Sequence, residues 1–347
     1  MASYTLTEAK LQFDLGDKIG SGGEGDVYKA VDRQLNSPIA VKKVPFLSTK
    51  KFEDYFEESK KLYLTTHHNV VDVNYACWDT DYVYLAMPFY ANGSINGLIN
   101  KRFLTSREII RYSLQFLSGL NNIHSKGLIH FDVKPENILI SDTNQALVSD
   151  FGLAQYFGHY GFAQNFGTTQ VLAPPEYFSQ MFHNIKFDIY QAGITMYLMC
   201  NGNLNFSDQI SNARKKWSKS DDAYLVERLV RGDFPDRSYF LPHIPRQLRS
   251  VIQRALAVDP NDRYSSIIDI LNDLSRIDKA NDWRYITDFS SAEEWTYDKY
   301  NVKSLLNGSV WHITASKNGR NSSNFTKNIS TLADKNSLLY DCLNTEW

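Results

Sequence analysis

Residues 130–152 of this 347-residue chain read HFDVKPENILISDTNQALVSDFG, and this stretch decides the fold. Asp132 can accept a hydroxyl proton, and Lys134 can neutralise charge on a phosphoryl group during transfer. Asn137 and Asp150 carry the oxygen ligands that Mg²⁺ prefers. The short interval between them suits two strands joined by a turn. Each piece alone could be structural, because Asp-Phe-Gly is also common in turns.

A glycine-rich run lies upstream, Gly20-Ser-Gly22-Gly-Glu-Gly25-Asp-Val27. Glycine lets the backbone approach phosphate groups closely, and its N–H groups can donate to them. A dinucleotide-binding unit would need a helix at the third glycine. The segment Asp26–Val31 is strand-like instead, so the run predicts a hairpin that folds over a nucleotide.

Lys42 ends an apolar, strand-like segment, Ile39-Ala-Val-Lys42. A lysine inside such a strand needs a charged partner, because unpaired burial is costly. The helical segment that follows, residues 51–64, offers Glu57 and Glu58, and its register favours Glu58. A lysine on the surface of a strand is the alternative interpretation.

Apolar periodicity divides the chain into a strand-rich part and a helix-rich part. This order indicates two lobes rather than alternating βαβ units. Strands are predicted at Val70–Trp78 and Tyr82–Met87, and helices at Ser106–Ser125, Phe187–Cys200, Ala223–Arg231, Gln247–Leu256 and Ser265–Ile277. The tail contains short strand patterns with hairpin signals at Asn307-Gly308 and Asn318-Gly319.

Composition excludes several classes of protein. Lys plus Arg number 37 and Asp plus Glu 39, which gives a net charge of −2 and argues against a generally basic nucleic-acid binder. The three cysteines have no zinc-site spacing, and no apolar run approaches the ~20 residues of a membrane span. We therefore expect a cytoplasmic protein without a membrane partner and without a clear nucleic-acid partner.

In this order and spacing the motifs resemble the eukaryotic-type (Hanks-type) serine/threonine protein kinases. The resemblance covers about Leu15 to Ile277. It implies an α+β, bilobal fold with a β-rich N-lobe and a helical C-lobe. The implied division is a lead-in at 1–12, N-lobe and hinge at 13–90, C-lobe at 91–280 and a β-rich extension of unknown role at 281–347.

The resemblance also implies the chemistry. ATP and Mg²⁺, or Mn²⁺, would bind between the lobes, and the γ-phosphoryl group would pass to Ser or Thr of a protein, including this one. Lys42, oriented by Glu58, would hold the α- and β-phosphates. Asp132 would orient the substrate hydroxyl, and Lys134 would stabilise charge on the transferring group. The expected metal ligands are Asn137 and Asp150.

The implied nucleotide contacts lie in the glycine-rich run, the strand around Lys42, the hinge and one later strand. Met87 falls at the gatekeeper position. The full set is Ile19, Gly20, Ser21, Gly22, Gly23, Glu24, Gly25, Val27, Ala40, Lys42, Met87, Pro88, Phe89, Tyr90 and Leu139.

Weaker landmarks support the same resemblance. Ala173-Pro-Pro-Glu176 is similar to the end of an activation segment, whose Glu would pair with Arg263. Asp188 would brace the catalytic loop from the start of a C-lobe helix, and His130 would support the same loop. Lys134 in this loop goes with serine/threonine rather than tyrosine kinases.

Two departures from the family pattern affect regulation. Phe131 replaces the usual Arg before the catalytic Asp, the non-RD variant, so we hypothesise that activity does not strictly need a phosphorylated activation loop. The segment 167–176 has one extra residue and no Tyr. The substrate-facing threonine is therefore Thr168 or Thr169, and the candidate autophosphorylation sites are Thr168, Thr169 and serines in loops.

Other functions remain open at this point. A pseudokinase or scaffold would keep the fold without catalysis, and a small molecule could replace the protein acceptor. The polar segment at 207–222 is expected to lengthen a loop. The extension is either a recognition module for a partner or a structural element packed on the C-lobe.

Overall fold

A computed structural model describes residues 10–21, 25–46, 51–215, 223–277 and 281–345 of the protein. A sheet-rich lobe comes first, a helical lobe follows, and a further β region ends the chain. The expected α+β, bilobal architecture with a C-terminal β region is therefore confirmed. Within the described ranges, no helix is long and apolar enough to cross a membrane.

The first lobe is an antiparallel sheet with one helix beside it. Its elements are β1 (Phe13–Ser21), β2 (Asp26–Asp32), β3 (Ser37–Pro45), a 3₁₀ turn (Phe52–Phe56), α1 (Glu57–Leu64), β4 (Tyr75–Trp78) and β5 (Tyr82–Pro88). The strand order is β1-β2-β3-β5-β4. Val41 and Ala86 pair across β3 and β5 and are fully buried, as alternating apolar residues on a half-buried sheet should be.

The predicted strand at Val70–Trp78 is wrong in its first half, because only Tyr75–Trp78 is a strand. Val70 makes a single parallel bridge to Val148, and the Val71 N–H donates to the Val148 carbonyl at 2.9 Å. Val70 and Val71 are buried between the lobes and bond to the second lobe, and the chain joins β5 only from Asn74, whose N–H donates to the Ala86 carbonyl at 2.9 Å.

The second lobe is mostly helical. Its helices are α2 (Ile95–Ile99), α3 (Ser106–Ser125), α4 (Lys186–Lys215), α5 (Ala223–Arg231), α6 (Arg246–Ala255) and α7 (Ile267–Ser275). Its short strands are β6 (Leu128–Ile129), β7 (Ile138–Ile140), β8 (Ala146–Val148), β9 (Gln155–Tyr156), β10 (Ala163–Gln164) and β11 (Phe182–His183). The antiparallel pair β7–β8 fills the interval between Asn137 and Asp150.

Local sequence explains why α3 spans the predicted residues. Thr105 and Glu108 form a capping box, which pairs backbone N–H groups that the first turn leaves free. Ile109, Phe116 and Ile123 lie on its apolar face and are fully buried. This helix forms the centre of the C-lobe core.

Helix α4 runs further than its sequence period predicts. It is helical from Lys186 to Lys215 but breaks at Gly202, where φ is +75°. A Cβ at Gly202 would lie 3.0 Å from the Phe103 ring, so the break needs glycine for its backbone and for space. Residues 207–215 are helical rather than part of a loop, and 216–222 lie outside the described residues.

The C-terminal extension is a β-meander closed by a helix. It comprises β12 (Arg284–Thr287), β13 (Ala292–Tyr297), β14 (Tyr300–Asn307), β15 (Val310–Lys317), β16 (Arg320–Asn321), β17 (Lys327–Ile329) and α8 (Leu332–Asn344). The expected Asn-Gly signals do lie in the turns after β14 and β15. The sequence analysis missed α8, although Thr331 caps it by accepting from the Asp334 N–H at 3.1 Å.

The extension packs directly on the C-lobe. Trp295 is fully buried, and its Nε1 donates to Nδ1 of His243 at 3.3 Å. The Arg249 guanidinium lies 4.5 Å from the Tyr340 ring centroid, and Asn344 donates to the Pro242 carbonyl at 2.9 Å. These contacts favour the structural interpretation of the extension. The domain boundary at residue 281 stays a prediction, since 278–280 lie outside the described residues.

Candidate active site

Lys42 meets two carboxylates between the lobes. Its Nζ lies 2.7 Å from Glu58 Oε2 on α1 and 3.3 Å from Asp150 Oδ1, which follows β8. Glu57, the alternative partner, bonds Lys60 on the surface instead. Lys42 is only 6% exposed, so the two carboxylates offset the cost of burying its ammonium group. The contact ties α1, β3 and the segment after β8 together.

Asp150 is ionised and accessible to a ligand. Burial alone would raise the pKa of its carboxyl group, but the Lys42 ammonium and the Gly152 N–H outweigh burial and lower that pKa below its usual value. Its side chain remains 41% exposed. Its φ of +60° is uncommon outside glycine, which indicates a backbone held by its surroundings.

The backbone before Asp132 is hydrogen-bonded to a buried aspartate at the start of α4. Asp188 has no exposed surface and accepts the backbone N–H groups of His130 and Phe131, both at 2.8 Å. His130 accepts the Asp132 N–H at Nδ1, at 3.2 Å, and its Nε2 lies 3.0 Å from the Ser149 carbonyl. Because a carbonyl only accepts, Nε2 carries the proton. These bonds fix the backbone that carries Asp132.

Asp132 has one occupied and one free carboxylate oxygen. Lys134 Nζ lies 2.7 Å from Oδ2, and Asn137 Nδ2 donates to the same oxygen at 2.9 Å. The other oxygen, Oδ1, is buried and has no hydrogen-bond partner among the described residues. Buried polar atoms are nearly always paired. Oδ1 is therefore the carboxylate oxygen of Asp132 that still has the capacity to accept a hydrogen bond.

A buried ion pair anchors the end of the segment that follows. Arg263 has a fully buried side chain, and its NH1 and NH2 each donate to Glu176 at 2.7 Å. Arg263 also donates to the carbonyls of Lys186 and Val258. Two parallel bonds between a guanidinium and a carboxylate fix both distance and orientation.

The sequence model of the protein kinase domain matches residues 13–274. The chain belongs to the protein kinase family. The serine/threonine-protein kinase ULK3 of Xenopus laevis is 28% identical over 261 residues, which are 74% of this chain and 53% of ULK3. A probable serine/threonine-protein kinase of Clostridium perfringens, CPE1738, is 27% identical over 277 residues, 77% of this chain and 38% of that protein.

A third relative gives the same picture. The serine/threonine-protein kinase dkf-1 of Caenorhabditis elegans is 27% identical over 263 residues, 68% of this chain and 36% of its own length. The kinase chain thus spans about half or less of the relatives it matches. The identification as a protein kinase domain, made from its motifs, is confirmed.

The expected nucleotide-contacting residues of the kinase domain lie on adjoining strands. Ile19, Gly20 and Ser21 end β1 opposite Val27 in β2, Ala40 pairs with Met87, and Pro88 ends β5 before Phe89 and Tyr90. Leu139 lies on β7 in the other lobe. Gly22, Gly23 and Glu24 lie outside the described residues. At Gly25 a Cβ would lie 2.4 Å from the Lys43 carbonyl, so close strand packing already requires glycine there.

Phe131, the residue before Asp132, is part of an aromatic cluster. Its side chain is fully buried, and its ring centroid lies 5.0 Å from that of Phe187 and 6.3 Å from that of His183. Burial lowers the pKa of His183, which keeps that imidazole neutral. An apolar side chain in this place has no charge with which to bind a phosphorylated activation loop.

The structure separates the two candidate threonines. Lys134 Nζ donates to Thr169 Oγ1 at 3.3 Å, so Thr169 faces the catalytic groups. Thr168 Oγ1 instead donates to the Phe131 carbonyl at 2.9 Å and accepts from Gln191 Nε2 at 3.0 Å.

Sequence reasoning missed two buried polar residues here, Gln191 and Lys61. Lys61 Nζ donates to the Ala154 carbonyl at 2.5 Å, which joins α1 to the segment after Asp-Phe-Gly. Both side chains lie on predicted helices, where a polar residue normally faces solvent. Only the tertiary contacts reveal them.

Proposed function

We propose that this chain is an active ATP-dependent serine/threonine protein kinase. The observation that carries the proposal is the set of groups around Asp132. Its Oδ2 lies 2.7 Å from the ammonium of Lys134, its Oδ1 has no partner among the described residues, and the Lys42–Asp150 ion pair supplies the phosphate- and metal-binding groups that such a reaction needs. Kinases gain most of their rate from positioning and electrostatics, and these groups provide both.

The residues present fit a divalent cation bound together with ATP. The ionised, partly exposed carboxylate of Asp150 and the amide oxygen of Asn137 are hard oxygen donors of the kind Mg²⁺ takes, while phosphates and water complete its shell. Bound there, the ion would neutralise charge on the β- and γ-phosphates. Mg²⁺ is the proposed ion and Mn²⁺ the alternative.

The protein's own groups then divide the work. Lys42, oriented by Glu58, binds the α- and β-phosphates. Asp132 Oδ1 accepts a hydrogen bond from the substrate hydroxyl and aims that oxygen at the γ-phosphorus. As the new P–O bond forms, the bond between the γ-phosphorus and the β,γ-bridging oxygen breaks, ADP leaves, and Asp132 takes the hydroxyl proton. Lys134 donates to the transferring group and stabilises its charge.

We propose a protein side chain as the acceptor. Lys134 is the residue that the family's serine/threonine kinases carry at this place, and its Nζ donates to Thr169 Oγ1 at 3.3 Å. The segment from Asp150 to Glu176 is complete and anchored by Arg263, with α5 packed against its end, which suits a docked peptide. No observation favours a scaffold role or a small-molecule acceptor.

Three further assignments belong to the same proposal. The kinase phosphorylates itself at exposed serines or threonines. Thr168 is not among them, because its hydroxyl is engaged in hydrogen bonds with Phe131 and Gln191. It works in the cytoplasm. The extension stabilises the C-lobe and leaves its outer sheet face for a partner.

Transfer of label from γ-labelled ATP, to the chain itself and to a generic basic protein, tests the proposal. We expect label on Ser and Thr by phosphoamino-acid analysis, and a loss of at least about 100-fold in Asp132→Asn and Lys42→Met. Lys43→Met is the matched control, because Lys43 is the next residue of β3 and its Nζ lies over the Tyr82 ring. Folded wild type without label would refute the proposal.

A further inference from the structure

A buried chain of hydrogen bonds encloses the catalytic aspartate. Gln191, on the first turns of α4, has no exposed surface. Its Oε1 accepts the Val133 N–H at 3.0 Å, and its Nε2 donates to Thr168 Oγ1 at 3.0 Å. Thr168 Oγ1 in turn donates to the Phe131 carbonyl at 2.9 Å. The backbone groups on both sides of Asp132 are thus held by two side chains, which we name the Thr168–Gln191 clamp.

The direction of each bond in the clamp is determined by chemistry. A backbone N–H only donates, so the Gln191 oxygen must face Val133 and the amide nitrogen must face Thr168. A carbonyl only accepts, so the Thr168 hydroxyl proton must point at Phe131. The hydroxyl therefore accepts once and donates once. No member can be replaced by an apolar group without leaving a buried polar atom unpaired.

The clamp continues a row of contacts from one face of α4. Asp188 holds the N–H groups of His130 and Phe131, and Gln191 holds that of Val133. Thr195 Oγ1 donates to the Gln191 carbonyl at 3.0 Å and lies 3.4 Å from the Val133 carbonyl. Helical spacing of three and four residues puts these side chains on one face. One rigid helix therefore sets the backbone on both sides of Asp132.

The backbone held in this way is strained. Phe131 has a φ of +65°, a left-handed conformation that is unfavourable for an aromatic residue. Such strain persists only where the surroundings over-determine the backbone. Hydrogen bonds to the N–H of Phe131 from Asp188 and to its carbonyl from Thr168 supply that restraint.

We propose that Thr168 and Gln191 are positioning residues that set Asp132 for phosphoryl transfer, and that this clamp orders the activation segment without a phosphate. The inference rests on the kinase activity proposed above. Thr168 belongs to the activation segment and Gln191 to α4, so the clamp couples the segment to the catalytic loop through uncharged groups. Phosphorylation of Thr168 would remove the donated proton and break the clamp.

The test compares initial rates of Thr168→Val, Gln191→Met and the double variant at saturating peptide. We expect each single variant to lower kcat about 10- to 100-fold with the KM for ATP within about threefold of wild type. The double variant should be no slower than the slower single variant, because each single substitution already breaks the same chain of hydrogen bonds. Thr168→Ser should recover most of the rate.

The matched control is Gln115→Met. The Gln115 Oε1 also accepts a backbone N–H, from Ala146 at 2.9 Å, but on α3 away from Asp132. We expect it to keep the wild-type kcat. Faster hydrogen exchange of the Val133 amide in folded Gln191→Met, and not in Gln115→Met, would show that the bond itself has been lost.

The outcomes separate the two proposals. Inactive wild type refutes the proposed kinase function. Active wild type with full kcat in Gln191→Met refutes the clamp alone. A rate that is lost in Thr168→Val but kept in Gln191→Met, with phosphate found on Thr168 by mass spectrometry, would make Thr168 a phosphorylation site and overturn the clamp.

Discussion

At the scale of single residues, the need to pair buried polar groups explains most of the site. Lys42, Asp188 and Arg263 are each nearly or fully buried, and each bonds groups far away in sequence. Charged groups tolerate such places only with partners of good geometry. Removing one partner therefore lowers the free energy of unfolding by more than the lost bond contributed, because the other group stays buried without a partner.

The Arg263–Glu176 pair gives a direct prediction for stability. Arg263→Ala should lower the free energy of unfolding by about 3–5 kcal/mol, because it leaves the Glu176 carboxylate buried and unpaired. Denaturant titration measures the change. Arg276→Ala is the control, since Arg276 is 77% exposed beside Asp273 and its loss should change stability by under about 1 kcal/mol. Equal effects would contradict a structural role for the buried pair.

At the scale of elements, motifs carried within one element were predictable and contacts between elements were not. The capping box of α3 and the Asn-Gly turns of the extension are local signals, and the structure places them where expected. The chain around Val70 is apolar because both lobes cover it, which a single-sequence pattern cannot distinguish from a strand. Helix α8 was missed because a tail of strand-like segments outweighed its single cap at Thr331.

In the candidate site, too, signals within one element were predictable and contacts between elements were not. The sequence selected Glu58 for Lys42 from helix register, and the structure places the two 2.7 Å apart. The sequence could not choose between Thr168 and Thr169, nor identify Gln191. Their roles depend on how α4 packs against two loops, and no local spacing encodes that packing.

Helix α1 should control the segment after Asp-Phe-Gly through Lys61. Lys61→Met removes the bond to the Ala154 carbonyl, and we expect lower kcat with easier proteolysis after residue 154, because a hydrogen bond from a charged donor contributes about 1.5–3 kcal/mol. Lys60→Met, one residue earlier on the exposed side of α1, is the control. If both variants keep wild-type kcat and proteolysis, α1 does not hold this segment through Lys61.

At the scale of the whole molecule, the extension completes the C-lobe. Trp283, Trp295, Val302, Ile313 and Leu339 belong to the same apolar core as the C-lobe helices. The sheet thus covers a lobe surface that the kinase domain alone would expose. The interface includes His243, a histidine that the folded protein keeps neutral.

Stability should therefore depend on pH through this interface. Burial lowers the pKa of His243 to about 3, whereas the unfolded chain keeps it near ~6.5. As pH falls below ~6.5, the unfolded state gains a proton that the folded state does not. From pH 7 to 5 this costs about 2 kcal/mol of stability.

Substituting His243 checks the sign and the size of this pH-dependent loss of stability. His243→Asn keeps an acceptor for Trp295 and removes the titration, so its loss of stability from pH 7 to 5 should be smaller than that of wild type by about 2 kcal/mol. His159→Asn, on the surface, controls for removing a histidine. Denaturant midpoints at both pH values measure the difference, and parallel curves for wild type and His243→Asn would refute it.

The most direct measurement is the progress curve of phosphatase-treated wild type, with Thr168 and Thr169 verified as unmodified, on a Ser/Thr peptide with ATP and Mg²⁺. We expect product to form linearly from the first turnover, with Asp132→Asn at least about 100-fold slower, because the catalytic groups are assembled without a phosphate. A lag that shortens as enzyme concentration rises, and disappears after preincubation with ATP, would show that phosphorylation assembles the site and would contradict this conclusion.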